Sequence, residues 1–172
     1  MVPEPLHPAV VHFPIVFAVL LPISAALALW AIRRGAAPLR AWAIPAAFAL
    51  ALAGSAFVAL ETGEAEEERV EDFVSEAAIH EHEEAAERFL LFSGLVALVA
   101  AAGLLPGAAG RASRLVASVG TIGVLVSGIQ VGHAGGKLVY EQGAAQAYVH
   151  AAATGMPLSG MGEAEDEERE EH

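Results

Sequence analysis

Four stretches of the chain carry no acid, lysine or arginine: residues 5–32, 41–60, 89–110 and 115–136. Each reaches the roughly 20 residues that a helix needs to cross a hydrocarbon core. Ala, Leu and Gly dominate them, without the alternation of a barrel strand. A backbone in lipid must satisfy its own hydrogen bonds, so these segments are helices. The pattern predicts an all-α fold, an integral membrane four-helix bundle with spans at about 8–32, 41–60, 89–110 and 115–134.

Breakers refine this picture. Pro8 suits the first helical position and makes His7 the residue before it. Pro14, Pro22 and Pro45 lie inside the spans and should bend them or free carbonyls. Gly120, Gly123, Ser127 and Gly128 offer small residues for close packing along the fourth helix. Gly132, Gly135 and Gly136 are expected to break that helix at the membrane surface. The segment 137–153 holds Tyr140 and Tyr148 and is expected to lie in the interface. Together these elements make one domain, 1–153, followed by an acidic tail, 154–172, expected to be disordered.

Charge sets the orientation. The first connection carries Arg33, Arg34 and Arg40, and the third carries Arg111 and Arg114, with no acid in either. The second, 61–88, holds twelve acids against Arg69 and Arg88. The positive-inside rule places the first and third connections in the cytoplasm. Both termini and the acidic loop then lie outside, as in a multi-pass protein of a bacterial inner membrane. The start lacks a basic region before the first apolar span, so that span is expected to act as its own insertion signal.

Composition then excludes whole classes. The 172 residues hold no cysteine, which removes disulfides, thiolate zinc sites and covalent c-type haem attachment. A net charge of -12 argues against nucleic acid as a partner. No nucleophile stands at a recognisable spacing from a base. The glycines 132–136 end a helix instead of opening one, so they make no phosphate cradle. Glu81-His82-Glu83-Glu84 lacks the histidines four apart that a zinc protease needs. Catalysis is the least supported class.

The histidines are one-sided. On the predicted topology His7 and His12 start the first helix, His80 and His82 start the third, and His133 ends the fourth. Glu61 ends the second at the same level. Five of the seven histidines thus meet one membrane face, and it is the outer one. His82 shares a helix face with Ala78, Ala85, Ala86, Phe89 and Ser93, which predicts an inward side chain. His80 shares its face with Glu83, Glu84, Glu87 and Arg88, which predicts solvent. His12 continues along Ile15, Val16, Val19 and Ile23, where an ionisable group usually has a task. The plain alternative for His12 is a neutral ring bonded to a carbonyl freed by proline. His7 lies off that face, as a cap or outer gate.

Two chemistries want such a set. Facing histidines can clamp a haem iron from both sides within a bundle. His12 and His82 are the expected axial pair, with His133 the competitor for either place. Ala85, Ala86 and Gly132 leave room for the macrocycle, and Arg88 or Lys137 could pair with its propionates. Alternatively His12, His82, His133 and Glu61 could hold one zinc, copper or iron ion.

Two segments carry a resemblance. Leu6-His7-Pro8-Ala9-Val10-Val11-His12-Phe13-Pro14-Ile15 resembles the amino-terminal signature of an uncharacterised bacterial membrane family, domain of unknown function twenty-two thirty-one. The segment from Gly132-His133-Ala134-Gly135-Gly136 through Lys137-Leu138-Val139-Tyr140 to Glu141-Gln142-Gly143 resembles its closing motif. The resemblance covers roughly residues 5 to 145 and implies four spans and a histidine near the start of the third, best matched by His82. Some members of that family lie beside cytochrome-type domains, which implies redox work. The long acidic loop and the tail depart from the family pattern.

The leading expectation is a b-type haem protein passing electrons near the outer face. Its acidic loop would dock a basic c-type cytochrome by charge steering; the plain alternative is a solvated segment. A metal-ion binder is the second expectation. The third is an accessory subunit of a respiratory or photosynthetic complex, binding haem or chlorophyll or serving packing alone.

Overall fold

The computed structural model describes residues 6–67, 70, 74–146 and 149. It contains α1 (His7–Val10), α2 (His12–Arg33), α3 (Pro38–Glu67), α4 (Glu76–Ala102) and α5 (Gly107–Tyr140). The helices α1 and α2 are one apolar rod interrupted at Val11. Pro14 has no N–H to offer the carbonyl one turn earlier, which weakens the ladder at that point. The rod, α3, α4 and α5 are four helices long and apolar enough to cross a membrane. They form a ring in chain order, each packed on the next, with α2 closing it against α5.

The inward faces obey one spacing. On the first rod the buried residues are Pro14, Ala18, Leu21, Ala25 and Ala28. On α3 they include Trp42, Pro45, Ala49, Leu52, Ala56 and Ala59. On α4 they include Ile79, Phe89, Ser93, Val96 and Ala100, and on α5 Gly110, Arg114, Ala117, Thr121 and Val124. These are steps of three and four, the repeat of left-handed helix packing. The other faces expose large apolar side chains: Ile15, Val19, Leu27, Leu98, Val119 and Ile129 are each roughly half to three-quarters exposed. Small residues inside and large ones outside is the membrane arrangement, because lipid is as apolar as leucine while close backbone approach needs small residues.

Antiparallel α4 and α5 lie in register through their glycines. A Cβ at Gly120 would lie 2.8 Å from Val96, one at Gly128 would lie 3.2 Å from Phe89, and one at Gly135 would lie 3.2 Å from His82. The end of the bundle away from the histidines is pinned by two donors. Trp42 Nε1 donates to the Ala100 carbonyl at 2.9 Å, in the last turn of α4. Buried Arg114 donates to the Gly103 carbonyl and closes the turn between α4 and α5.

Three expectations change. The glycines 132, 135 and 136 do not break the fourth helix: α5 runs through them to Tyr140. A helix stops at glycine only when the chain needs a left-handed residue, and that residue is Gly143, at φ 86°. The start of the proposed interfacial segment is therefore helix; residues 147, 148 and 150–153 and the tail 154–172 lie outside the described residues. Much of the acidic connection 61–88 is also helical, since α3 runs on to Glu67 and α4 begins at Glu76. Finally, Arg111 and Arg114 sit within α5 rather than before it, and Arg114 is a buried turn clamp.

Candidate functional site

Where α1 begins, α3 ends, α4 begins and α5 ends, the four helices surround a cavity of about 650 Å³. Its walls are almost wholly apolar or glycine. Two histidines project into it from opposite sides, His7 from α1 and His82 from α4. Their ring centres are 6.4 Å apart and their planes cross at 86°. Each ring is seated on a glycine of the neighbouring helix. A Cβ at Gly63 of α3 would lie 3.1 Å from His7, and one at Gly135 of α5 would lie 3.2 Å from His82.

Hydrogen bonds orient the pair. His7 Nδ1 lies 2.9 Å from the Ala59 carbonyl and 3.3 Å from Thr62 Oγ1. A carbonyl only accepts, so Nδ1 carries a proton in this contact. Ligating histidines are commonly held this way by a backbone carbonyl. His82 differs. The Val131 backbone lies beside its ring, while Nδ1 is buried with no hydrogen-bond partner. Leaving a buried polar nitrogen unpaired costs about 1–3 kcal/mol, which a ligand at that atom would offset.

The remaining candidates fall elsewhere. His12, His133 and Glu61 are exposed and line no part of the cavity. His12 shares the face of Ile15, Val16, Val19 and Ile23, all about half exposed, so that face points out of the bundle. His7 takes its place, because it continues the inward series Ala28, Ala25, Leu21, Ala18, Pro14 and Val11 by one more step. His7, rather than His12, is the histidine that stands beside His82. His80 is solvated, with Nδ1 3.8 Å from Glu83, as its face predicts. Arg88 folds back on Glu84 in its own helix, its Nε donating to that residue's carbonyl. Lys137 reaches Glu81 at 3.4 Å across the rim. Neither cation lines the cavity.

Among the described residues no three His, Asp or Glu side chains gather as a metal site. Of the expected set of His12, His82, His133 and Glu61, His82 lines the cavity and the other three are exposed.

A small apolar cluster lies at the helix ends, where Val70, Ile79, Leu138 and Ala144 also line the cavity. Val74, Ile79 and Ala144 are buried together there, with Val70, Ala78 and Leu138 packed against them. Comparison with protein-family profiles, curated proteins and solved structures finds no match for this chain.

Proposed function

We propose that this chain is a b-type haem-binding membrane protein, with His7 and His82 as the axial pair, passing electrons at the outer membrane face. The separation of the two rings carries the proposal. Imidazoles bound at about 2 Å on either side of one metal put their ring centres roughly 6 Å apart. His7 and His82 stand at 6.4 Å. Two ligands suffice for a haem iron, whereas a tetrahedral ion needs more, and among the described residues no three His, Asp or Glu gather. The flat wall of Gly128, Gly132, Gly135 and Gly136 on α5 suits a planar group, and the cavity volume falls within the range of small-molecule sites.

A haem held there would alternate between ferric and ferrous iron and so relay single electrons. The protein's share is to fix the ring of His7 through the Ala59 carbonyl and to seat His82 on Gly135. The arginine-bearing end is assigned to the cytoplasm by the positive-inside rule, which leaves the histidine end outside in a bacterial inner membrane. Exposed Glu61, Glu64, Glu81, Glu84 and Glu87 surround that end and suit a basic soluble carrier such as a c-type cytochrome.

The test is the haem content of protein purified from its own membranes in mild detergent. Stoichiometric non-covalent haem b is expected. Protein free of haem but holding zinc, copper or iron by elemental analysis would favour the metal-binding reading, and a chlorophyll spectrum would favour a photosynthetic subunit.

A further inference from the structure

The cavity is longer than two histidines require. Along the first rod its lining runs from His7 to Val19, which at a rise of about 1.5 Å per residue is roughly 18 Å. On α5 it descends to Leu125, ten residues below Gly135. The histidines sit at one end. The other end is walled by Ala18, Val19, Phe89, Leu125, Gly128 and Ile129, none of which bears a polar side-chain atom.

This lower part is open sideways. Val19 on α2 and Ile129 on α5 line the cavity, yet they are 47% and 64% exposed on the outer surface of the bundle. A residue that faces both the cavity and the surround marks a mouth. The mouth lies between α2 and α5 at the depth of the charge-free stretches, where the surround is hydrocarbon. The slot is therefore open to the bilayer on this side, while Val139 and Tyr140, 44% and 89% exposed, line it at the histidine end.

Its chemistry narrows the occupant. Among the described residues no lysine or arginine lines the cavity, and Glu64 and Glu83 do. A phosphate or fatty carboxylate head would meet two acids and no cation, so phospholipid and fatty acid fit poorly. The one polar region is the histidine end, above a glycine wall that takes a flat ring. We propose that the slot binds a neutral, lipid-soluble quinone, its isoprenoid tail leaving through the mouth and its ring oxygens facing the histidine end. The tail of such a ligand would fill the end of the cavity away from the two histidines, and Gly128 borders both parts.

A photoreactive azidoquinone in lipid nanodiscs holding the full-length protein tests it. Saturable labelling is expected on residues 15–19 and 125–129, competed by unmodified quinone. Gly128→Leu, which drives side-chain atoms into the Phe89 ring and the slot, should reduce labelling at least tenfold, and so should Ile129→Trp across the mouth. Ile129 is exposed, so the second variant leaves the core intact if the first misfolds. Gly123→Leu, on an open face with nothing within 4 Å, should label as the parent does. Labelling that never saturates, or spreads evenly over Leu27, Leu98 and Val119, would overturn the proposal. So would native mass spectrometry showing a phospholipid retained by the parent and lost from Ile129→Trp. Haem measured on the same samples separates the two ideas: saturable labelling of haem-free protein sinks only the haem reading, and haem without labelling sinks only this one.

Discussion

His7 and His82 face each other at 6.4 Å with their ring planes nearly perpendicular, although they come from opposite ends of the first half of the chain. Neither is placed by chance contact. His7 closes the inward face of the first rod, and His82 is the inward residue one turn beyond Ile79 on α4. Each rests on a glycine that admits a ring where a Cβ would crowd it. The functional proposals turn on this pair.

The glycine seats give the first prediction. Gly135→Ala should displace the His82 ring by a few tenths of an ångström and weaken cofactor retention several-fold. Gly123→Ala, where a Cβ meets nothing within 4 Å and which lines no part of the cavity, should not. Haem retained per chain after gel filtration measures both. Equal loss in the two variants would mean that helix flexibility, not the seat of His82, controls retention.

Packing along α4 and α5 gives the second. Gly120→Leu must push Val96 aside at the centre of the bundle, and overpacking of this kind typically costs about 1–3 kcal/mol. Gly123→Leu faces outward and should be neutral. Thermal unfolding in detergent reports the difference, and matching midpoints would contradict the observed register.

At the far end of the bundle, Trp42→Phe removes the N–H that donates to the Ala100 carbonyl. A loss of about 1 kcal/mol is expected, with the haem spectrum unchanged because the pair lies at the other end. A spectral change would show that the two ends are coupled.

Orientation is checked by single cysteines in a chain that has none. A reagent confined to the outside should modify a cysteine at Ser75 and spare one at Ala36. The reverse pattern would invert the assignment and move the histidine end to the cytoplasm.

Much of the fold is legible in the charge-free stretches and the small residues, and His82 and His80 sort correctly from their neighbours alone. The first helix is harder. His12 sits beside large β-branched residues, which in a soluble helix mark the core. In lipid the sign reverses: Ile15, Val16, Val19 and Ile23 face outward and the alanines face in. Stepping back from Ala28 by threes and fours reaches His7, so the signal is present once the solvent is taken to be lipid. The run of α5 through Gly132–Gly136 is less legible, because glycine permits a break without requiring one. The seats at Gly63 and Gly135 depend on contacts between helices, which single-helix periodicity does not contain.

The most direct test of the central claim is the optical spectrum of the oxidised and dithionite-reduced protein, taken for the parent and for His7→Ala, His82→Ala, His12→Ala and His133→Ala. The predicted result is a six-coordinate low-spin haem with sharp reduced α and β bands in the parent. His12→Ala and His133→Ala should keep that spectrum, while His7→Ala and His82→Ala should each turn high-spin or lose the haem. A low-spin spectrum that survives His7→Ala and disappears in His12→Ala would contradict the pairing, and a parent without a Soret band would contradict the haem itself.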